Sequence, residues 1–196
     1  FLISWKNIND SECAFTWDDY VENGVIKAID TVREVTNVKK INTLGFCIGG
    51  TLLTCAAGVI AKQKKDTINS ITLMASLLEF SDPGILKIFI DEASISIREG
   101  AIGEKGVMAG SELASTFSFL RPDDLIWNYY VSNYLKGEKP VPFDLLYWNG
   151  DGANLPGPFY CWYLKNFYLK DRLKKPNNLS ICGQKINLNA VTCPIY

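Results

Sequence analysis

An α/β fold with a parallel, doubly covered sheet is what this chain predicts, and three observations predict it. Ile41 to Phe46 ("INTLGF") is a short apolar run of strand length. One residue later, "IGGTLLTCAAGVIAK" has the length and apolar density of a buried helix, and "INSITLM" supplies a second buried strand. Ahead of them, "FLISW" reads as a strand and the segment from Thr16 as a helix. Strand, helix, strand, helix, strand at these lengths is a pair of βαβ units, with right-handed crossovers.

Each element has a local reason. Thr16 and Asp19 have capping-box spacing, and Val21, Val25, Ile29 and Val32 form a helical apolar stripe behind them. The helix after Cys47 runs to Lys62, Lys64 and Lys65, where positive charge suits the C-terminal end of the dipole. From Asp82 the texture changes to short apolar pieces punctuated by glycine, leading to a helix at "DDLIWNYYVSNYL" that Lys136-Gly137 stops. A loop rich in proline and glycine precedes an amphipathic helix, "FYCWYLKNFYLKDRL". Tyr160, Tyr163, Leu164, Phe167 and Tyr168 are placed on one of its faces, as core or dimer packing or as the lining of an apolar tunnel. "TCPIY" reads as the start of another strand.

Composition bounds the function. At 196 residues the chain supports one sizeable core. Its net charge of -1 gives nucleic acid or an anionic membrane no electrostatic hold. No apolar run approaches the roughly 20 residues of a membrane span. Six cysteines show no CxxC pairing, and with no histidine as co-ligand no metal site is expected. They read as reduced thiols, Cys55 among them as a core residue. The missing histidine, the opening inside "FLISW" and the ending at "TCPIY" lead us to expect an internal piece of a longer protein.

The chemistry concentrates at Cys47. Gly45-Phe46-Cys47-Ile48-Gly49 has the G-x-nucleophile-x-G spacing of a nucleophile elbow, between an apolar strand and an apolar helix. Such a turn strains its central residue, and side chains at Gly45 and Gly49 are expected to collide with it or with the neighbouring strand. The sulfur would then stand above a helix N-terminus, whose dipole favours a thiolate. The Ile48 N–H would face the oxyanion formed when sulfur attacks a carbonyl. The alternative is a buried cysteine in a tight turn. Sulfur in place of serine points to acyl transfer from a thioester, because exchange of one C–S bond for another keeps the acyl group activated.

The segments "SWKN", "TWDDYV", "INTLGFCIGGTLL", "FIDEA", "LASTFSFLRPDDLIWNYYVSNYLKG", "PFDLLYWNGDGANLPGPFYCWYL" and "ICG" closely resemble the polyhydroxyalkanoate synthases, and "FSFLRP" resembles the class I enzymes. The resemblance implies an α/β-hydrolase-like parallel sheet, present in part, with a mainly helical cap subdomain inserted. Its parts would be the elbow-bearing core over 1–81, the cap over 82–158 and a return to the core over 159–196. It implies that Cys47 is the nucleophile and the Ile48 amide an oxyanion donor, with the histidine and aspartate partners outside these residues. Arg121 is placed near a CoA phosphate, with a structural ion pair as its competitor, and Trp148 near the acyl pocket, with core packing as its competitor.

The implied reaction polymerises 3-hydroxyacyl-CoA, chiefly 3-hydroxybutyryl-CoA, into a polyester with release of CoA and no cofactor. The implied setting is a cytoplasmic homodimer on the surface of its polymer granule. Competing readings are a cysteine hydrolase or thioesterase of the same fold, and a fragment inactive for want of its base.

Overall fold

The computed structural model describes residues 1–140, 142, 144, 145, 147 and 151–196. The capping box forms as its letters imply. Thr16 Oγ1 accepts from the Asp19 N–H at 3.3 Å, while the Thr16 N–H donates to Asp19 Oδ2 at 2.8 Å. The pair opens α1 (Trp17–Asp19), which widens into π-helical turns over Tyr20–Ile26 and continues as α2 (Lys27–Thr36). Asn37, left-handed at φ 53°, ends it. Val21, Val25 and Ile29 turn inward as their spacing predicts.

The βαβ unit follows. β1 (Ile41–Phe46) and β2 (Ile68–Met74) run parallel, Thr43 opposite Ile71 and Phe46 opposite Met74, joined by α3 (Ile48–Lys62). Every residue of α3 from Gly50 to Ile60 is buried, which explains its all-round apolar sequence. Full burial of each large aliphatic side chain there stabilises the fold by about 1.5–3 kcal/mol. The C-terminal residues extend the sheet beyond β2. Pro194 O accepts from the Ile71 N–H at 3.0 Å, and the Tyr196 N–H donates to Ile71 O at 2.9 Å.

One expected strand does not form. Phe1 to Trp5 has no strand geometry, so a single βαβ unit is present among the described residues instead of two. A strand needs a partner ladder, and this segment is held by ring packing instead, with Trp5 stacked on Tyr20 at 5.1 Å.

Residues 84–135 are mainly helical. A 3-10 stretch, Gly84–Phe89, precedes α4 (Glu92–Ile102), whose cap Asp91 accepts from the Ser94 N–H at 2.8 Å. β3 (Val107–Met108) leads to α5 (Gly110–Leu120) and to π-helical turns over Asp123–Trp127 and Tyr130–Leu135. Gly137 at φ 67° closes that run, with the Lys136 N–H on Val131 O and the Glu138 N–H on Ser132 O, as the Lys-Gly stop predicts. β4 (Leu155–Pro156) pairs antiparallel with β3 and brings the chain back to α6 (Gly157–Tyr163), which again widens into π-helical turns over Leu164–Leu169. A small hairpin, β5 (Ser180–Ile181) and β6 (Gln184–Lys185), precedes the C-terminal residues that bridge to β2. No helix among the described residues is long and apolar enough to cross a membrane.

The α6 region locks onto α1 through rings. Trp17 stacks on Phe159 at 4.9 Å and on Tyr163 at 5.1 Å, and meets Phe167 edge-on at 5.0 Å. These aromatics are core, as the plainer reading of that helix has it. The expected common face is split, because Tyr160 turns instead to the Arg98 guanidinium, 5.8 Å from its ring centre.

Candidate active site

Cys47 sits between the last residue of β1 and the first of α3 with φ 53° and ψ −127°. That region is left to glycine in most turns and costs a non-glycine residue about 1–3 kcal/mol. Three backbone bonds hold it there. The Cys47 N–H donates to Met74 O at 2.9 Å, continuing the parallel ladder, and Cys47 O accepts from Gly50 at 3.0 Å and from Thr51 at 3.4 Å. Strand and helix thus grip the residue from both sides, and the bend between them pushes its side chain outward.

The result is selective exposure. Cys47 is the one exposed cysteine among the described residues, whereas Cys13, Cys55 and Cys161 are buried and Cys182 and Cys193 lie part-way. Cys55, two turns further along the same helix, has 0% exposure, and burial drives its thiol far above the ordinary range. Cys182 is pushed up to about 12, first by burial and then by Asp18, Glu22 and Asp19. Its thiol donates to Asp18 O at 3.6 Å.

The glycine frame is partly as expected. A Cβ on Gly45 would lie 2.4 Å from Gly50 Cα, so strand and helix can meet only if residue 45 lacks a side chain. Gly49, expected to be under the same constraint, has nothing within 4 Å of an added Cβ. The second tight position is Gly50, where a Cβ would fall 1.9 Å from Ser76 Oγ. Gly50 points back into the bend, and Gly49 points away from it. Ser76 closes the contact, its hydroxyl donating to Met74 O at 3.1 Å.

Ile48 is the first residue of α3, and a helix's first N–H groups have no acceptor within the helix. Its amide is therefore the donor nearest in sequence to the sulfur. The strained cysteine thus stands on the strand-to-helix bend of a parallel βαβ unit, one residue before this amide. A family model described as "alpha/beta hydrolase fold" matches residues 1–193.

The chain belongs to the alpha/beta hydrolase fold family.

Within that family it is homologous to proteins named poly(3-hydroxyalkanoate) polymerases. It is 49% identical to the "Poly(3-hydroxyalkanoate) polymerase subunit PhaC" of Cupriavidus necator, over 100% of this chain and 34% of that protein. It is 38% identical to the subunit of that name from Rhizobium meliloti, over 100% of this chain and 32% of the relative. It is 36% identical to "Poly(3-hydroxyalkanoate) polymerase 1" of Ectopseudomonas oleovorans, over 100% of this chain and 35% of the relative. The chain thus spans about a third of the length of these relatives.

The other anticipated residues fall elsewhere. Arg121 is engaged by Asp124, Nη2 to Oδ2 at 2.5 Å, with its side chain 73% exposed. Trp148 lies outside the described residues. Two residues that the sequence placed only on an aromatic helix face, Tyr163 and Tyr168, meet edge-on with their ring centres 5.2 Å apart. Burial is the main cause raising both phenols above their ordinary range. The available signal was their five-residue spacing, which faces one way only once the π-helical turns after Tyr163 widen the helix.

Proposed function

We propose that the protein carrying this chain is a polyhydroxyalkanoate synthase of class I type, an acyltransferase using Cys47 as its acyl carrier. The Cys47 thiolate attacks the thioester carbonyl of a 3-hydroxyacyl-CoA, with 3-hydroxybutyryl-CoA the leading substrate. The tetrahedral oxyanion is met by the Ile48 N–H. Collapse breaks the carbonyl–sulfur bond to CoA, which leaves as its thiolate, and the acyl group remains on Cys47 as a thioester. The hydroxyl of another acyl unit then attacks that thioester, losing its proton to a base and extending the polyester by one ester bond.

The observation that carries this reading is the strained and exposed Cys47, set where an acyl-transfer nucleophile must stand. The names of the relatives, poly(3-hydroxyalkanoate) polymerases, support the choice of substrate. In the same reading residues 82–158 form a cap that keeps water from the acyl-enzyme. Arg121 meets a CoA phosphate by exchanging its Asp124 partner, and Trp148 lines the acyl pocket. A homodimer on the granule surface follows from the same likeness.

The naturally produced protein, given 3-hydroxybutyryl-CoA, is expected to release CoA and deposit polymer, and Cys47→Ala to abolish both. Polymer persisting in that variant would remove Cys47 from the mechanism. Free 3-hydroxybutyrate in place of polymer would identify a thioesterase instead. The 196 residues alone hold no histidine to serve as base and are expected not to polymerise. CoA release above a Cys47→Ala control would contradict that.

A further inference from the structure

Among the described residues, the threonines inside helices follow one rule with one exception. Thr31, Thr36, Thr54 and Thr116 each turn the hydroxyl back on the carbonyl four residues earlier, at 2.6–3.0 Å. That is the ordinary local bond of a helical threonine. Thr51, 1% exposed on the first turn of α3, has Cys47 O in that position. Its N–H takes that carbonyl at 3.4 Å, but its Oγ1 turns away and donates to Leu77 O at 2.9 Å. Leu77 belongs to the bend after β2, and two further groups fasten the same bend. The Cys47 N–H donates to Met74 O at 2.9 Å. The Ser76 hydroxyl is shared between Met74 O at 3.1 Å and Gly45 O at 3.4 Å, in the space that Gly50 leaves by having no Cβ.

This bend is strained as the elbow is. Ala75 follows β2 at φ 48° and Cys47 follows β1 at φ 53°, so both paired strands end in left-handed residues that are not glycine. Such conformations persist only where the surroundings over-determine them. Met74 O couples the two, because it accepts from Cys47 and immediately precedes Ala75. Relaxation at Ala75 would turn the peptide that carries Met74 O, and the Cys47 N–H would lose its acceptor. Packing alone does not call for the Thr51 hydroxyl. Valine would fill nearly the same space without burying a polar group, and a hydroxyl bonded back to Cys47 O would be satisfied inside the helix. What the observed bond adds is a fixed position for residue 77.

We propose that Thr51 is a positioning residue for Cys47, its hydroxyl tying the Met74–Leu77 bend to the first turn of α3, with Ser76 securing the same bend from the strand side. This rests on the reading of Cys47 as acyl carrier. Both side chains act through backbone atoms that flank the sulfur. They keep the nucleophile at the distance and angle that attack on a thioester carbonyl requires. Loss of such an interaction lowers the rate of the bound complex and leaves the affinity for substrate alone.

The test is single-turnover acylation of Cys47 by 3-hydroxybutyryl-CoA in the naturally produced protein, read as CoA release and as the acylated Cys47 peptide. Substrate concentration is varied, and rates are taken per folded molecule from thermal melts run alongside. Thr51→Val is expected to lower the maximal rate about tenfold, the scale of one hydrogen bond, with the half-saturating concentration unchanged. Thr51→Ser keeps the hydroxyl and is expected to restore most of that rate. Ser76→Ala, which removes two longer bonds, is expected to cost about threefold and carries the test if Thr51→Val does not fold. A Thr51→Val protein that melts earlier yet acylates at the wild-type maximal rate overturns the inference. So does a Thr51→Ser protein as slow as Thr51→Val, or, where Thr51→Val does not fold, a Ser76→Ala protein at the wild-type rate. Each of these leaves Cys47 as acyl carrier intact. A wild type in which Cys47 is not acylated overturns the acyl-carrier reading, and the inference with it.

Discussion

The helix behind Cys47 and the helical run over residues 84–135 are both rich in apolar side chains, yet they spend them differently. α3 buries every residue from Gly50 to Ile60 against β1, β2 and the Tyr20–Ile26 turns. The second region leaves Phe117, Phe119, Trp127 and Tyr134 more than half exposed. Apolar content is thus no measure of how firmly a segment is held. The helix behind the elbow is enclosed on all sides, and that packing offsets the backbone strain at Cys47. The outer helices carry contact surface that the described residues leave uncovered.

Substitutions can break or sharpen that contrast. The largest effect is expected at Trp17, which joins α1 to the α6 rings. Trp17→Ala should cost about 3–5 kcal/mol in denaturant unfolding, and a loss below about 1 kcal/mol would mean the ring cluster is not the anchor. Next comes Gly45→Ala, whose Cβ meets backbone that cannot swing aside. About 3 kcal/mol should be lost, together with rapid thiol modification at Cys47. An unchanged melting temperature would refute the close approach of strand and helix.

Alkaline pH should act more gently. Cys182 titrates near 12 in the folded chain against an ordinary 9.0. A folded-state pKa above the unfolded value means stability fully present below about pH 9 and lost as pH climbs toward 12. Buried Cys55 has the same sign. Urea midpoints should therefore fall progressively above pH 9, with a shallower slope in Cys182→Ala. Identical slopes would remove Cys182 from the effect. Smallest of all, Gly49→Ala and Phe119→Ala should each shift stability by less than about 1 kcal/mol, the first in the stabilising direction as a helical Gly-to-Ala change. A large loss at Gly49 would return the steric constraint to the position first expected to bear it.

Much of the elbow could be read from sequence because its causes are local. The apolar run of β1, the capping box at Thr16 and the glycine-cysteine spacing each act within a few residues, and each formed where its letters place it. What escaped has causes distant in sequence. Phe1 to Trp5 has strand letters, but a strand exists only where another strand meets it. Gly49 and Gly50 are alike as letters, and only the position of Ser76, some 25 residues on, makes the second the tight one. The pairing of Tyr163 with Tyr168 depends on π-helical turns that break the 3.6-residue period used to read helix faces. Arg121 illustrates the limit for charged residues, because an arginine suited to a phosphate is equally suited to an aspartate three residues away.

The central claim is that a sharp bend holds one sulfur out of six where a substrate can reach it. Native-state alkylation with iodoacetamide, followed by peptide mass spectrometry at short times, tests this most directly. Cys47 should be modified first, with Cys182 and Cys193 trailing and the buried thiols protected until the chain unfolds. Modification of Cys182 or Cys193 ahead of Cys47, or of all six at one rate, would contradict the account.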